Sequence, residues 1–446
     1  MKEILLIGAG RSTYSLIKYL SKNAVQHDWK ITIADRIITD LKSRFDADSR
    51  IEIIEFDVNN QNQRETCIKK SNIVISMLPA HMHIGVAKDC IRFKKHMVTA
   101  SYISDEMKAL FDDAVDAGIT IINEIGVDPG IDHLSAMKVI DEIRDAGGEI
   151  TGFETFTGGL VAPESDDNPW NYKFTWNPRN VVLAGHGGAV KFIQEGTYKY
   201  IPYHKLFRRT EIIDIEGHGK FEGYANRDSL KYRSIYGLND IKTMFRGTLR
   251  KPGFCRAWDA FVQLGATDDS YTIANSENLT FRGFINLFLP YNPTDSVELK
   301  FRHYLNLAHD EISLFEKLEW LDIFKEIPIG LKNATPAQIL QLILERKWSL
   351  SEQDKDMIVM WHKFVYTTNE GKEKELHSSM VLKGKSTLET AMAMTVGLPV
   401  GISTKLLLEG KINEPGVHIP IKKDIYTLIL KELEENGIQF VEREIS

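Results

Sequence analysis

The stretch "LLIGAGRSTYSLIKYL", Leu5 to Leu20, joins an apolar run to a helical one through two glycines. Ile4 to Gly8 reads as a buried strand and Arg11 to Asn23 as a helix. Gly8 permits the tight turn between them, and Gly10 lets backbone approach an anion at the helix N-terminus, where free N–H groups and the helix dipole attract negative charge. Thr13 stands where the third glycine of G-x-G-x-x-G would be, at some cost in closeness of helix to strand. A second strand, Trp29 to Asp35, follows where a dinucleotide fold needs it. Gly8 and Gly10 are therefore expected to bring backbone against the pyrophosphate of a dinucleotide cofactor. Asp35 would accept from a ribose 2'-hydroxyl and repel a 2'-phosphate, favouring NAD; Arg36 beside it could stack on adenine or meet a 2'-phosphate, which leaves NADP open.

Outward from this turn, strand and helix signals alternate. Strands are predicted at Arg50 to Val58, Asn72 to Leu78, His96 to Ser101 and Ile119 to Gly126. Before the last of these, Met107, Leu110, Phe111, Ala114 and Val115 recur at helical spacing, with Gly118 as the stop. Such alternation implies parallel pairing through right-handed crossovers, hence an α/β fold built on a doubly wound parallel Rossmann sheet. Asp57 and Val58 end the third strand; Ser76, Met77, Leu78 and Pro79 end the fourth, beside the cofactor path. A further helix carries Leu134, Met137, Ile140 and Ile143 and ends at Gly147-Gly148.

The chain has 446 residues, more than one core usually serves, so two or three domains are expected. The reading places a dinucleotide-binding domain at 1–128, rejoined by about 395–446; a mixed α/β substrate-binding domain at 129–256 and 351–394; and a mainly helical insertion at 257–350. Thr335 and Pro336 suit the start of one of its helices. Met357 to Thr368 and Glu375 to Lys385 flank a polar turn and read as a hairpin, and Ser386 with Glu389 forms a capping box for a helix through Met394.

A formal net charge of -7 disfavours nucleic acid. Thr390 to Ile402, interrupted by Gly397, Pro399 and Gly401, is too short to span a membrane, and the N-terminus is not a secretory signal, so a cytoplasmic protein is expected. Cys67, Cys90 and Cys255 lie far apart without metal-ligand spacing, so neither a disulfide framework nor a metal site is expected. Against this acidic background, Phe221 to Phe254 gathers Arg227, Arg233, Arg246 and Arg250. It reads either as a solvated loop or as a pocket for a small molecule with several carboxylates, since planar guanidinium forks match carboxylates bidentately.

Six motifs, "MLPAHMH", "TASYIS", "NEIGVDPGIDHLSA", "GGLVAPESDDNPWNYKFTW", "YANRDS" and "RGTLR", together resemble the saccharopine dehydrogenase family, in its L-glutamate-forming, saccharopine reductase branch. The likeness covers most of the chain and is densest from Met1 to about Phe254. It implies oxidation of the secondary amine of saccharopine by NAD(P)+, with imine hydrolysis to L-glutamate and 2-aminoadipate 6-semialdehyde, or the reverse condensation, in lysine metabolism. Carried over by position, it implies cofactor contacts at Gly10 to Thr13, Asp35-Arg36, Asp57-Val58, Ser76 to Pro79, Val127 and Trp176. It implies substrate contacts at Ser101, Tyr102, Asp128, Arg227, Thr248, Leu249 and Arg250. The "GRST" turn and acidic Asp35 depart from the usual NADP pattern of the fungal members.

"GVDPGIDH" holds Asp128 at a strand's C-terminal end, where open sheets bind ligands; alternatively Asp128 caps the next helix. Asp128 or Tyr102 could serve as the base that takes the amine proton. His81, His83, His133, His186 and His218 read as packing residues, no carboxylate partner being visible by spacing. Trp170, Tyr172 and Trp176 could wall a nicotinamide or fill a core. A homodimer is the expected assembly. The alternatives are a relative acting on another carboxylated secondary amine, of carboxynorspermidine or homospermidine type, and a cofactor-binding regulator without turnover.

Overall fold

The computed structural model describes residues 1–45, 47–308 and 311–445. It divides the chain into two compact units, Met1–Glu149 with Leu382–Val441, and Ile150–Val381 with residues 442–446.

The first unit begins with β1 (Lys2–Ile7), α1 (Tyr14–His27), β2 (Trp29–Asp35), α2 (Thr39–Phe45), β3 (Ile51–Glu55), α3 (Gln61–Lys70) and β4 (Ile73–Ser76). It continues with α4 (His83–Arg92), β5 (His96–Val98), α5 (Asp105–Lys108), α6 (Phe111–Ala117), β6 (Thr120–Ile122) and α7 (Ile131–Asp145). Strands lie in the order 6-5-4-1-2-3, all parallel. This is the doubly wound sheet expected from the alternating pattern. Helices cover both faces, so Ile4, Leu6, Ile31, Ile33, Ile73 and Ile75 are fully buried and the strands carry near-continuous apolar runs. The order reverses between β1 and β4, and the crevice beyond their carboxyl ends is where such sheets bind ligands.

The second unit holds β7 (Glu149–Val161), α8 (Pro178–Val182), β8 (Val190–Gln194), β9 (Thr197–Ile201), β10 (Thr210–Ile215), β11 (Gly219–Ala225) and β12 (Thr243–Arg250). Helices α9 (Phe254–Leu264), α10 (Phe281–Leu287), α11 (Val297–Tyr304), α12 (Ile312–Trp320) and α13 (Pro336–Trp348) follow, then β13 (Asp356–Thr367) and β14 (Glu373–Lys383). The sheet is mixed: β7 pairs parallel with β12, while β11 pairs antiparallel with both β10 and β12. α13 opens with the cap expected at Thr335 and Pro336, reciprocated by Gln338. Residues 257–350 are not a separate body, because their helices share one aromatic core with Trp170, Phe192 and Tyr224 of the sheet region.

The chain then returns to the first unit through α14 (Ala391–Leu408), β15 (Gly416–His418) and α15 (Lys423–Glu435); β15 extends the parallel sheet beside β6, and the terminal β16 (Val441–Ile445) pairs with β14. The first unit thus runs past the expected boundary at 128 to include α7, and resumes before 395.

α14 corrects two expectations. Ser386 accepts from the Glu389 amide at 3.0 Å but caps only a turn, while Thr390 caps the helix itself by accepting from the Ala393 amide. The helix runs 18 residues, long and apolar enough by composition to cross a membrane, and most of it is buried. Its glycines are contact points: a Cβ at Gly397 would lie 2.8 Å from the Leu16 amide nitrogen. α14 therefore packs backbone to backbone on α1.

Candidate active site

The glycine turn is built as the sequence requires. Gly8 sits at φ +88°, and a Cβ there would lie 2.9 Å from the Met77 carbonyl oxygen, so only glycine lets β1 and β4 end this close together. Gly10 has open space around it. The amides of Gly10, Arg11 and Ser12 open the helical segment and have no carbonyl one turn earlier to bond. Thr13 is turned inward, its hydroxyl donating to the Gly10 carbonyl at 2.7 Å. A run of backbone donors at a helix N-terminus, with open space where a Gly10 side chain would stand, fits a nucleotide pyrophosphate.

Asp35 is committed differently from the expectation. Its carboxylate accepts from the Ala9 amide at 2.6 Å and from the Ile37 amide at 2.9 Å, so it braces the glycine loop and its own turn. Arg36 is exposed. Asp57 likewise accepts from the Asn59 amide and side chain, organising the turn that leads to α3, while Val58 is buried.

At the switch point, Ser76 closes β4 with its hydroxyl 2.8 Å from His83 Nδ1, and His83 Nε2 lies 2.7 Å from the Ser101 hydroxyl just beyond β5. His83 is 3% exposed, and burial lowers its pKa to about 4, with His81 adding a smaller push the same way. The ring is therefore neutral at physiological pH. The histidine expected to be mere packing instead joins two predicted contact residues. Next along the chain, the Tyr102 hydroxyl donates to Asp128 Oδ1 at 3.4 Å, bringing the two candidate bases together.

The loop under Asp128 folds back on itself. The Gly126 amide donates to the Pro129 carbonyl and the Ile131 amide to the Gly126 carbonyl. Gly130 has φ +146°, and a Cβ there would collide with Gly126 at 2.1 Å. The N-cap of α7 is Gly130, without a capping side chain, so Asp128 is not the cap of that helix. Behind the loop, Glu124 is fully buried at φ +56°, accepts from the Ile103 amide and lies 2.9 Å from His133 Nε2. His133 thus has the carboxylate partner that spacing did not reveal.

The second unit carries the remaining predicted positions. Arg250 is 4% exposed, and its guanidinium faces the rings of Tyr172, Phe254 and Tyr224 at 4.9, 5.3 and 5.8 Å. One nitrogen donates to the Leu249 carbonyl at 2.8 Å, but Nε has no partner, and no carboxylate among the described residues pairs with the group. The Tyr172 hydroxyl is also buried without a partner, and burial pushes its pKa up to about 12. A buried cation without an anion is costly unless a ligand supplies one.

Leu249 is fully buried in the sheet core, and Thr248 is half-buried on β12. Arg227 is exposed, with φ +44° at the end of β11, an unusual backbone state for a side-chain-bearing residue. Arg233 donates to the Tyr198 hydroxyl, and the Arg246 guanidinium lies over the Tyr232 ring at 4.7 Å. Trp170 and Tyr172 are core, whereas Trp176 is 36% exposed. Asn168 holds that segment, accepting from the Trp170 amide and donating to the Tyr172 carbonyl. Among the described residues no cluster of histidine, cysteine and carboxylate groups suits a metal, and the cysteines are free.

Residues 4–122 match the family model for the saccharopine dehydrogenase NADP binding domain, and 126–438 match the saccharopine dehydrogenase C-terminal domain. The chain is 32% identical over 449 residues to saccharopine dehydrogenase [NADP(+), L-glutamate-forming] of Schizosaccharomyces pombe, covering 99% of each. It is 33% identical to the rat mitochondrial alpha-aminoadipic semialdehyde synthase, matching 98% of this chain and 47% of that one. The apo saccharopine dehydrogenase (L-Glu forming) of Saccharomyces cerevisiae superposes with a TM-score of 0.91 at 32% identity, covering 100% of both chains. From sheet order, glycine turn and full-length similarity alike, the chain belongs to the saccharopine dehydrogenase family.

Proposed function

We propose that the protein oxidises saccharopine at its secondary amine, forming L-glutamate and 2-aminoadipate 6-semialdehyde, or runs the reverse reductive condensation. The observation that carries this reading is Arg250: a buried guanidinium caged by three rings, with an orphan Nε and no carboxylate partner among the described residues, is a receptor waiting for an anion. A carboxylate of saccharopine satisfies it. Exposed Arg227 supports recognition of a second carboxylate, and the half-buried Ser101, Tyr102 and Thr248 offer hydroxyls. Leu249, with its side chain in the core, offers only backbone. A polyamine adduct would want acidic groups where this cage presents a cation.

The cofactor proposed is NADP(H). The relatives' names do not support the lean towards NAD drawn from Asp35, whose carboxylate accepts from the Ala9 and Ile37 amides, and exposed Arg36 beside it suits a 2'-phosphate. The relatives named for their cofactor are NADP(+) enzymes. Gly10 to Thr13 would hold the pyrophosphate, and Ser76 to Pro79 and Val127 the path towards the nicotinamide. When bound, the cofactor supplies the hydride acceptor. Asp128, linked to Tyr102, takes the proton that must leave the amine, and the same pair afterwards orients water for imine hydrolysis.

The test is a spectrophotometric assay of NADPH and NADH formation with saccharopine against carboxynorspermidine. Saccharopine-dependent NADPH formation is expected. Saturable NADPH binding without hydride transfer to any glutamate adduct would overturn the reading.

A further inference from the structure

His83 is a buried side chain of the first unit held on both ring nitrogens, and the proposed chemistry leaves it without a task. A neutral imidazole has one N–H and one lone pair. Of the two serines bound to it, one must therefore accept and the other donate. If Nε2 carries the proton, it donates to Ser101 Oγ, and the Ser101 hydroxyl proton turns away to donate to a ligand; Ser76 then donates to Nδ1. In the other tautomer Ser101 spends its proton on the ring and shows only lone pairs, which repel a carboxylate.

We propose that His83 is a positioning residue for substrate: it fixes the Ser101 hydroxyl as a donor to a substrate carboxylate, through a chain running Ser76 to His83 to Ser101 to carboxylate. Three further features fit. Ser76 is fully buried, and Ser101 is also pinned through its backbone, accepting from the Glu124 amide at 3.0 Å and donating to Thr99 Oγ1 at 3.3 Å. His83 starts α4, whose packed face fixes the ring. Aligned donors also polarise one another, so the chain strengthens the last bond. The inference rests on the proposed reading of Ser101 as a substrate contact.

The experiment compares Ser101→Ala, His83→Asn, His83→Gln and the His83→Asn/Ser101→Ala double variant, measuring the saccharopine KM, kcat and NADPH Kd. Asn reaches the position of Nδ1 and keeps the Ser76 bond but not the Ser101 bond; Gln reaches Ser101 with an N–H. Ser101→Ala should raise the saccharopine KM ~10-fold, the scale of one hydrogen bond to a charged group. His83→Asn should do nearly the same with NADPH Kd unchanged, His83→Gln should stay near wild type, and the double variant should be no worse than Ser101→Ala. If Ser101→Ala raises KM while His83→Asn does not, or if the two losses multiply, the positioning role is wrong although the serine contact stands. If Ser101→Ala leaves KM unchanged, the serine reading fails and the proposal with it.

Discussion

Replacing Arg250 by methionine separates a carboxylate receptor from a structural strut, because the two roles predict opposite signs for activity and stability. The guanidinium is 4% exposed and lies 4.9 to 5.8 Å from three ring centroids, so its removal gives up cation–π attraction of ~0.5 to 2 kcal/mol. Against that stands the effective penalty of burying an unpaired ion, several kcal/mol. Methionine fills the same cage with apolar volume and leaves no orphan Nε. The free protein should therefore be as stable as wild type or more so. Saccharopine loses a charge-assisted bond worth ~1.5 to 3 kcal/mol, which is ~10- to ~150-fold in KM at ~1.4 kcal/mol per decade. Thermal melts of the apo protein, steady-state NADPH absorbance and NADPH titration supply the three readouts. A saccharopine KM within about twofold of wild type combined with a lower melting temperature would refute the argument, since the cation would then be holding the cage together.

The remaining predictions concern the other groups. Arg227→Ala should raise the saccharopine KM by ~10-fold without moving NADPH affinity or the melting temperature, because the side chain is exposed; equal loss of both affinities would remove it from the substrate side. Asp35→Ala should weaken NADPH and NADH binding together, as the Ala9 and Ile37 amides lose their acceptor, whereas Arg36→Ala should weaken NADPH selectively; titration of each variant with both nucleotides distinguishes the cases. Asp128→Asn should lower kcat more than it changes the saccharopine KM, and near-normal turnover would leave the Tyr102 link without a catalytic use.

The doubly wound sheet was readable because each buried strand is an apolar run bounded by glycine or polar turns. Boundaries were read too long where the chain keeps its apolar character after leaving the ladder: Ile119 to Gly126 looks like one strand, yet only Thr120–Ile122 pairs before Glu124 turns at φ +56°. Domain limits failed for a related reason. α7 has the same periodicity whichever unit it joins, and nothing local tells that Gly397 of α14 will sit against Leu16 of α1.

At the candidate site the readable signals were backbone constraints and charge, and the unreadable ones were pairings. Gly8, Gly10 and the Gly126 to Gly130 loop announce themselves through glycine and proline. His83 and His133 looked solitary because their partners arrive through the sheet: Ser101 from beyond β5, and Glu124 from a left-handed turn. The four arginines make the point most sharply, since sequence counts them as equal charges. Arg233 is spent on a tyrosine hydroxyl, Arg246 lies on a ring, Arg227 is exposed, and only Arg250 combines burial, an aromatic cage and an unmatched N–H. Its cage comes from Tyr172, Tyr224 and Phe254, which belong to three different stretches of chain. What turns a cluster of cations into a receptor is therefore the loss of water around one of them without a compensating anion, and that is a property of packing between distant segments rather than of local composition.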